Sequence, residues 1–124
     1  MTRGFVTIAT GDEQYFRFAR NLLMSYKLFT SQPMPFAIAC DQENAYTALF
    51  DDVVILSPSA QTAGHSFWTK FELLIHAPYD ETIFIDADCL AYADLNGYWQ
   101  YFSDADDFTG CGTNYPIDSE QGLF

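Results

Sequence analysis

Two aspartates separated by one small residue, Asp86-Ala87-Asp88, are the residues of this chain whose types and spacing best suit chemistry. They follow an apolar run, Thr82-Ile83-Phe84-Ile85. In an extended chain the side chains i and i+2 point to the same side, so this spacing predicts two converging carboxylates. Converging carboxylates repel unless a cation lies between them. Hard divalent cations such as Mg2+ and Mn2+ take oxygen ligands of this kind. The competing reading is a solvated turn carrying two acids, because short motifs recur by chance.

The chain carries its own control. Asp104-Ala105-Asp106 repeats the same three letters, but it follows a helical pattern and precedes a strand pattern. In open α/β sheets ligands bind outside the carboxyl ends of the strands. The second copy is therefore expected to be an exposed loop at the opposite edge of the sheet. Context, not composition of the tripeptide, singles out Asp86 and Asp88.

Charge sharpens the metal reading. The 124-residue chain has 17 acidic and 5 basic residues and a net charge of −12. That balance argues against nucleic acid and anionic membrane surfaces as partners, since both need a basic footprint. The bases are Arg3, Arg17, Arg20, Lys27 and Lys70, and beyond residue 27 only Lys70 remains. A phosphate-bearing ligand would be repelled without a divalent ion. A cation held by two aspartates bridges diphosphate oxygens and neutralises leaving-group charge. Lys70, just ahead of the Asp86 strand, offers one more positive charge; the plain alternative is a solvated helix lysine.

The elements that must position these residues alternate. Phe5-Val6-Thr7-Ile8-Ala9 reads as a buried strand, followed by the turn and N-cap signal Thr10-Gly11-Asp12. From Glu13 to Phe29 the apolar residues Phe16, Ala19, Leu22, Leu23, Tyr26 and Phe29 recur at helical spacing. Strands are expected at Phe36–Cys40, Val53–Leu56 and Thr82–Ile85, with a fifth starting over Asp107–Cys111. Helices are expected over Glu43–Phe50, Phe67–Ala77 before Pro78, and Asp94–Phe102. Residues 112–124 are turn-rich and end on an apolar segment that looks like entry into a further element.

Short continuous apolar strands alternating with helices predict an α/β fold with a mostly parallel sheet flanked by helices. The length fits a single domain over residues 1–124. With 49% hydrophobic and 18% aromatic residues the chain can bury a core. Three expected strands end near an acid: Ala9 before Asp12, Cys40 before Asp41, and Ile85 before Asp86. Cys40, Cys89 and Cys111 are odd in number and widely spaced, which suggests neither a zinc site nor a disulfide framework. With no signal peptide and no apolar stretch of membrane-spanning length, the expected location is cytoplasmic. The oligomeric state is left open, self-association included.

Three features in order resemble the N-terminal part of a GT-A-fold glycosyltransferase, nearest the family 8 type that includes glycogenin and galactinol synthase. They are Phe5-Val6-Thr7-Ile8-Ala9-Thr10-Gly11-Asp12, then Phe67-Trp68-Thr69-Lys70-Phe71-Glu72, then Phe84-Ile85-Asp86-Ala87-Asp88-Cys89-Leu90. The resemblance covers roughly Phe5 to Gly112 and implies a Rossmann-like nucleotide-diphospho-sugar transferase fold. It implies transfer of a hexose from a UDP-sugar donor to an unidentified acceptor, with Mn2+ or Mg2+ as cofactor. In that resemblance Asp86 touches metal and ribose, Asp88 is the principal metal ligand, and Ala87 gives a backbone contact. Lys70 faces the donor diphosphate or sugar. Ala9, Thr10 and Asp12 line the nucleoside pocket, and Tyr15 stacks on the base.

Family members also continue into a C-terminal half that carries a histidine metal ligand, a place matched by neither His65 nor His76. The resemblance therefore implies an incomplete domain and names no catalytic base or nucleophile. Gly11 and Cys89 depart from the family pattern, which leaves base and sugar identity open. Two other readings compete. One is a non-catalytic nucleotide-sugar-binding or interaction module with the same fold. The other is a haloacid-dehalogenase-type phosphatase, whose Asp-x-Asp normally lies on the first strand and not the fourth.

Overall fold

Phe36–Cys40 is buried at all five positions and sits inside the sheet, with a parallel neighbour on each side. The structure is a computed structural model that describes residues 2–57, 70, 72–73 and 75–101. It contains β1 (Arg3–Ala9), α1 (Glu13–Phe29), β2 (Phe36–Cys40), β3 (Asp52–Ile55) and β4 (Glu81–Phe84). Short 3-10 helices cover Thr47–Leu49 and Leu95–Tyr101. Among the described residues all strand pairs are parallel and the sheet order is β3-β2-β1-β4. The protein is thus an α/β fold with a Rossmann-like parallel sheet, as the alternation of apolar runs predicts.

Both sheet faces are covered, which is why the strands read as continuous apolar runs. One face carries Phe5, Ala9, Phe36, Ile38 and Cys40, packed against Phe16, Ala19, Leu22, Leu23 and Tyr26 of α1. The other carries Val6, Ala37, Ala39 and Leu56, packed with Leu73 and Tyr79. Burying each large α1 side chain stabilises the fold by about 1.5–3 kcal/mol. Phe29, expected on the buried stripe, is instead exposed at the helix end. Asp12 occupies the N-cap of α1 with extended backbone, but its side chain makes no capping hydrogen bond.

Tyr26 ties α1 to the rest of the chain. Its ring packs against Phe5 and Phe36. Its hydroxyl donates to Asn96 Oδ1 and accepts the Met34 N–H, both at 2.8 Å. Burial raises the phenol above its ordinary pKa. One residue earlier, Ser25 Oγ accepts the Ala91 N–H at 2.8 Å, which anchors the segment just after Asp86-Ala87-Asp88 onto the helix.

Two expected α-helices are replaced by 3-10 turns. Within Glu43–Phe50 only Thr47–Leu49 is helical, and it is a single 3-10 turn. Asn44 Oδ1 accepts the N–H groups of Tyr46 and Thr47, while Thr47 Oγ1 accepts the Asn44 N–H. These side-chain bonds compete with the α-helical ladder. Likewise Asp94 Oδ1 accepts the Asn96 N–H, and Gly97 follows, where the expected Asp94–Phe102 helix becomes Leu95–Tyr101 in 3-10 form. Of the expected Phe67–Ala77 helix, Lys70, Glu72, Leu73 and Ile75 are helical. The Asp107–Cys111 strand, Asp104-Ala105-Asp106, His65, Cys111 and residues 112–124 lie outside the described residues. Among the described residues no helix is long and apolar enough to cross a membrane.

Candidate functional site

The order of the strands defines where a ligand fits. The sheet grows from β1 through β2 to β3, then β4 returns to the other side of β1. The switch point of this open sheet therefore lies between the carboxyl ends of β1 and β4. Thr10-Gly11-Asp12 leaves one of those ends and Asp86-Ala87-Asp88 the other.

β4 pairs in register with β1 through Val6 and Phe84, and the Ile85 N–H extends the pairing to Val6 O. The chain then turns. The Asp86 carbonyl accepts the Cys89 N–H at 3.1 Å, so Asp86 to Cys89 is a hydrogen-bonded β-turn. This corrects the extended geometry expected for Asp86-Ala87-Asp88. Aspartate favours such turns, and the half-buried Ala87 pins this one by packing on the α1-side core. The flanking carboxylates stay exposed. Asp86, Ala87 and Asp88 all line one open cleft of about 310 Å³.

Tyr15 and Phe18 form the remainder of that cleft's lining. They lie three residues apart on α1, their rings meet edge to face with centroids 6.3 Å apart, and they are 45% and 38% exposed. The cleft thus sets two hard anionic groups against two aromatic rings. Phe18 was not among the residues predicted for the site. Its signal was present: it stands off the buried stripe of α1 and one turn after Tyr15.

Lys70 reaches the same turn. Its Nζ lies 3.0 Å from Asp86 Oδ1 and 5.2 Å from the centre of the Phe84 ring. The expected diphosphate-facing lysine therefore contacts the carboxylate beside the cleft. Thr10 and Asp12 stand at the carboxyl end of β1 but do not line the cleft, and the Ala9 side chain is buried in the core. Gly11 takes a left-handed backbone, φ +80, and its N–H donates to Asp41 Oδ2 at 3.0 Å. Asp41 Oδ1 is buried and finds no partner among the described residues. His76 is exposed.

Cys89 is exposed; burial, then the charges of Asp88 and Asp86, raise its thiol pKa. Among the described residues no three ligating side chains converge on one point. The donor set of the cleft is two carboxylates. That set fits Mg2+ or Mn2+, which commonly take one or two protein carboxylates and complete their shell with water and substrate phosphates.

The fold and cleft define a class: an open parallel α/β protein with a carboxylate-and-aromatic cleft at its switch point. Compared with known proteins, the chain matches no family model and no curated protein.

Proposed function

We propose that this chain carries the nucleotide-sugar-binding site of a metal-dependent glycosyltransferase. It would transfer a hexose from a nucleoside-diphosphate sugar, most simply a UDP-sugar, to an acceptor. The observation that carries this reading is the cleft itself, where Asp86 and Asp88 face Tyr15 and Phe18 at the sheet's switch point.

Each part of such a donor has a counterpart. Tyr15 and Phe18 present rings on which a base stacks. The exposed Asp12 and half-buried Thr10 offer polar groups at the end of β1. Asp86 and Asp88 would hold Mn2+ or Mg2+, which when bound supplies charge neutralisation for the diphosphate leaving group. A chain of net charge −12 needs that neutralisation before it accepts a diphosphate. Lys70, whose Nζ lies 3.0 Å from Asp86 Oδ1, contributes a cationic side chain beside the cleft.

Calorimetric titration with UDP and UDP-hexoses, with and without Mn2+, tests the reading. Binding is expected only with the metal. Metal-independent binding, or none by the folded protein, overturns it. Hexose transfer to a panel of acceptors then separates an enzyme from a binding module.

A further inference from the structure

We propose that Lys70 is a displaceable internal counter-ion, which holds Asp86 while the cation site is empty and competes with the divalent ion for the same carboxylate oxygen. This rests on the reading of Asp86 and Asp88 as the cation-holding pair. The Lys70 ammonium has two anchors on adjoining parts of the chain. One is Asp86 Oδ1, at 3.0 Å, and the other is the Phe84 ring face, 5.2 Å from the ring centre. Glu72, the nearest acid along its own helix, does not compete for it. Glu72 instead accepts hydrogen bonds from the Ser57 N–H and hydroxyl, at 2.9 and 3.0 Å.

The contact is built to be given up. Lys70 and Asp86 side chains are 42% and 56% exposed, and an ion pair this open to water is weak and readily exchanged. Lys70 engages one oxygen of one carboxylate. A divalent ion carries twice the charge and draws on both Asp86 and Asp88, which line the same cleft. Without Lys70, two aspartates on a strongly acidic chain would share one turn with no compensating charge. With it, the empty site is partly neutralised, and the ammonium keeps the Phe84 ring as a resting place once displaced.

Mn2+ binding to the full chain, followed by electron paramagnetic resonance and calorimetry, reads this competition without any need for transfer activity. Lys70→Met and Lys70→Gln are expected to tighten Mn2+ binding by about threefold to fivefold, the scale set by losing an exposed ion pair. Lys27→Met, which removes the same charge from the far end of α1, is expected to leave it unchanged. Unaltered or weaker Mn2+ binding in both Lys70 variants, with wild-type binding intact, overturns the competition and leaves the functional reading standing. Equal tightening in Lys27→Met also overturns it, since the effect would then come from overall charge. Absence of Mn2+ binding in every form overturns both.

Discussion

Gly11 donates its backbone N–H to the Asp41 carboxylate at 3.0 Å, joining the loop after β1 to the end of β2. Both residues stand at the carboxyl edge of the sheet, and the left-handed backbone of Gly11 aims the N–H at its acceptor. Gly11→Ala is expected to destabilise the protein by about 1–2 kcal/mol, because an L side chain is strained in that region. The strain is conformational, since nothing lies near enough to clash with the added methyl. Urea denaturation of the variant against the parent measures it, and an unchanged midpoint refutes it.

The two identical tripeptides separate function from composition. Asp88→Ala is expected to abolish Mn2+-dependent UDP binding, since it removes half of a two-carboxylate donor set. Asp104→Ala is expected to leave binding unaltered. Loss of binding on the second substitution would move the cation site to Asp104-Ala105-Asp106.

The aromatic wall makes a separate prediction. Tyr15→Ala is expected to weaken UDP binding at saturating Mn2+ by roughly tenfold, within the about 1–3 kcal/mol that base stacking contributes. Tyr15→Phe keeps the ring and is expected to retain most affinity. Phe18→Ala is expected to weaken binding less, because it supports the Tyr15 ring edge to face. Both side chains are substantially exposed, so thermal unfolding should barely move. Equal affinity in Tyr15→Ala and the parent would remove the base from this wall.

Alkaline pH is expected to destabilise the fold through Cys40. Burial raises this thiol from its ordinary value of 9.0 to about 11. The folded state therefore holds the proton more tightly than the unfolded state. Stability is complete below pH 9 and falls as pH rises from there toward 11, by about 2 kcal/mol at the upper end. Cys40→Ala should lose overall stability but flatten that part of the pH profile. A profile between pH 9 and 11 equally steep in both proteins would assign the loss elsewhere.

Much of the architecture was legible because it is encoded locally. The apolar residues Phe16, Ala19, Leu22, Leu23 and Tyr26 recur at helical spacing, and α1 spans the predicted Glu13–Phe29. Phe36–Cys40 is apolar without interruption and is enclosed on both faces, as such a run implies. The short helices were misread where Asn44, Thr47 and Asp94 bond to nearby backbone N–H groups, a competition that apolar periodicity does not register.

By itself the sequence determined the alternation of strand and helix, the acidity that calls for a counter-ion, and the two aspartates at a strand's end. Those are properties of neighbouring residues and of the sum of charges. Only the tertiary structure decided that β4 docks against β1, which puts the Asp86 turn across from Tyr15 and Phe18. It also decided that Lys70 rests on Asp86 and Phe84. Such pairings depend on sheet order and side-chain reach between residues distant along the chain, which spacing in one dimension does not contain.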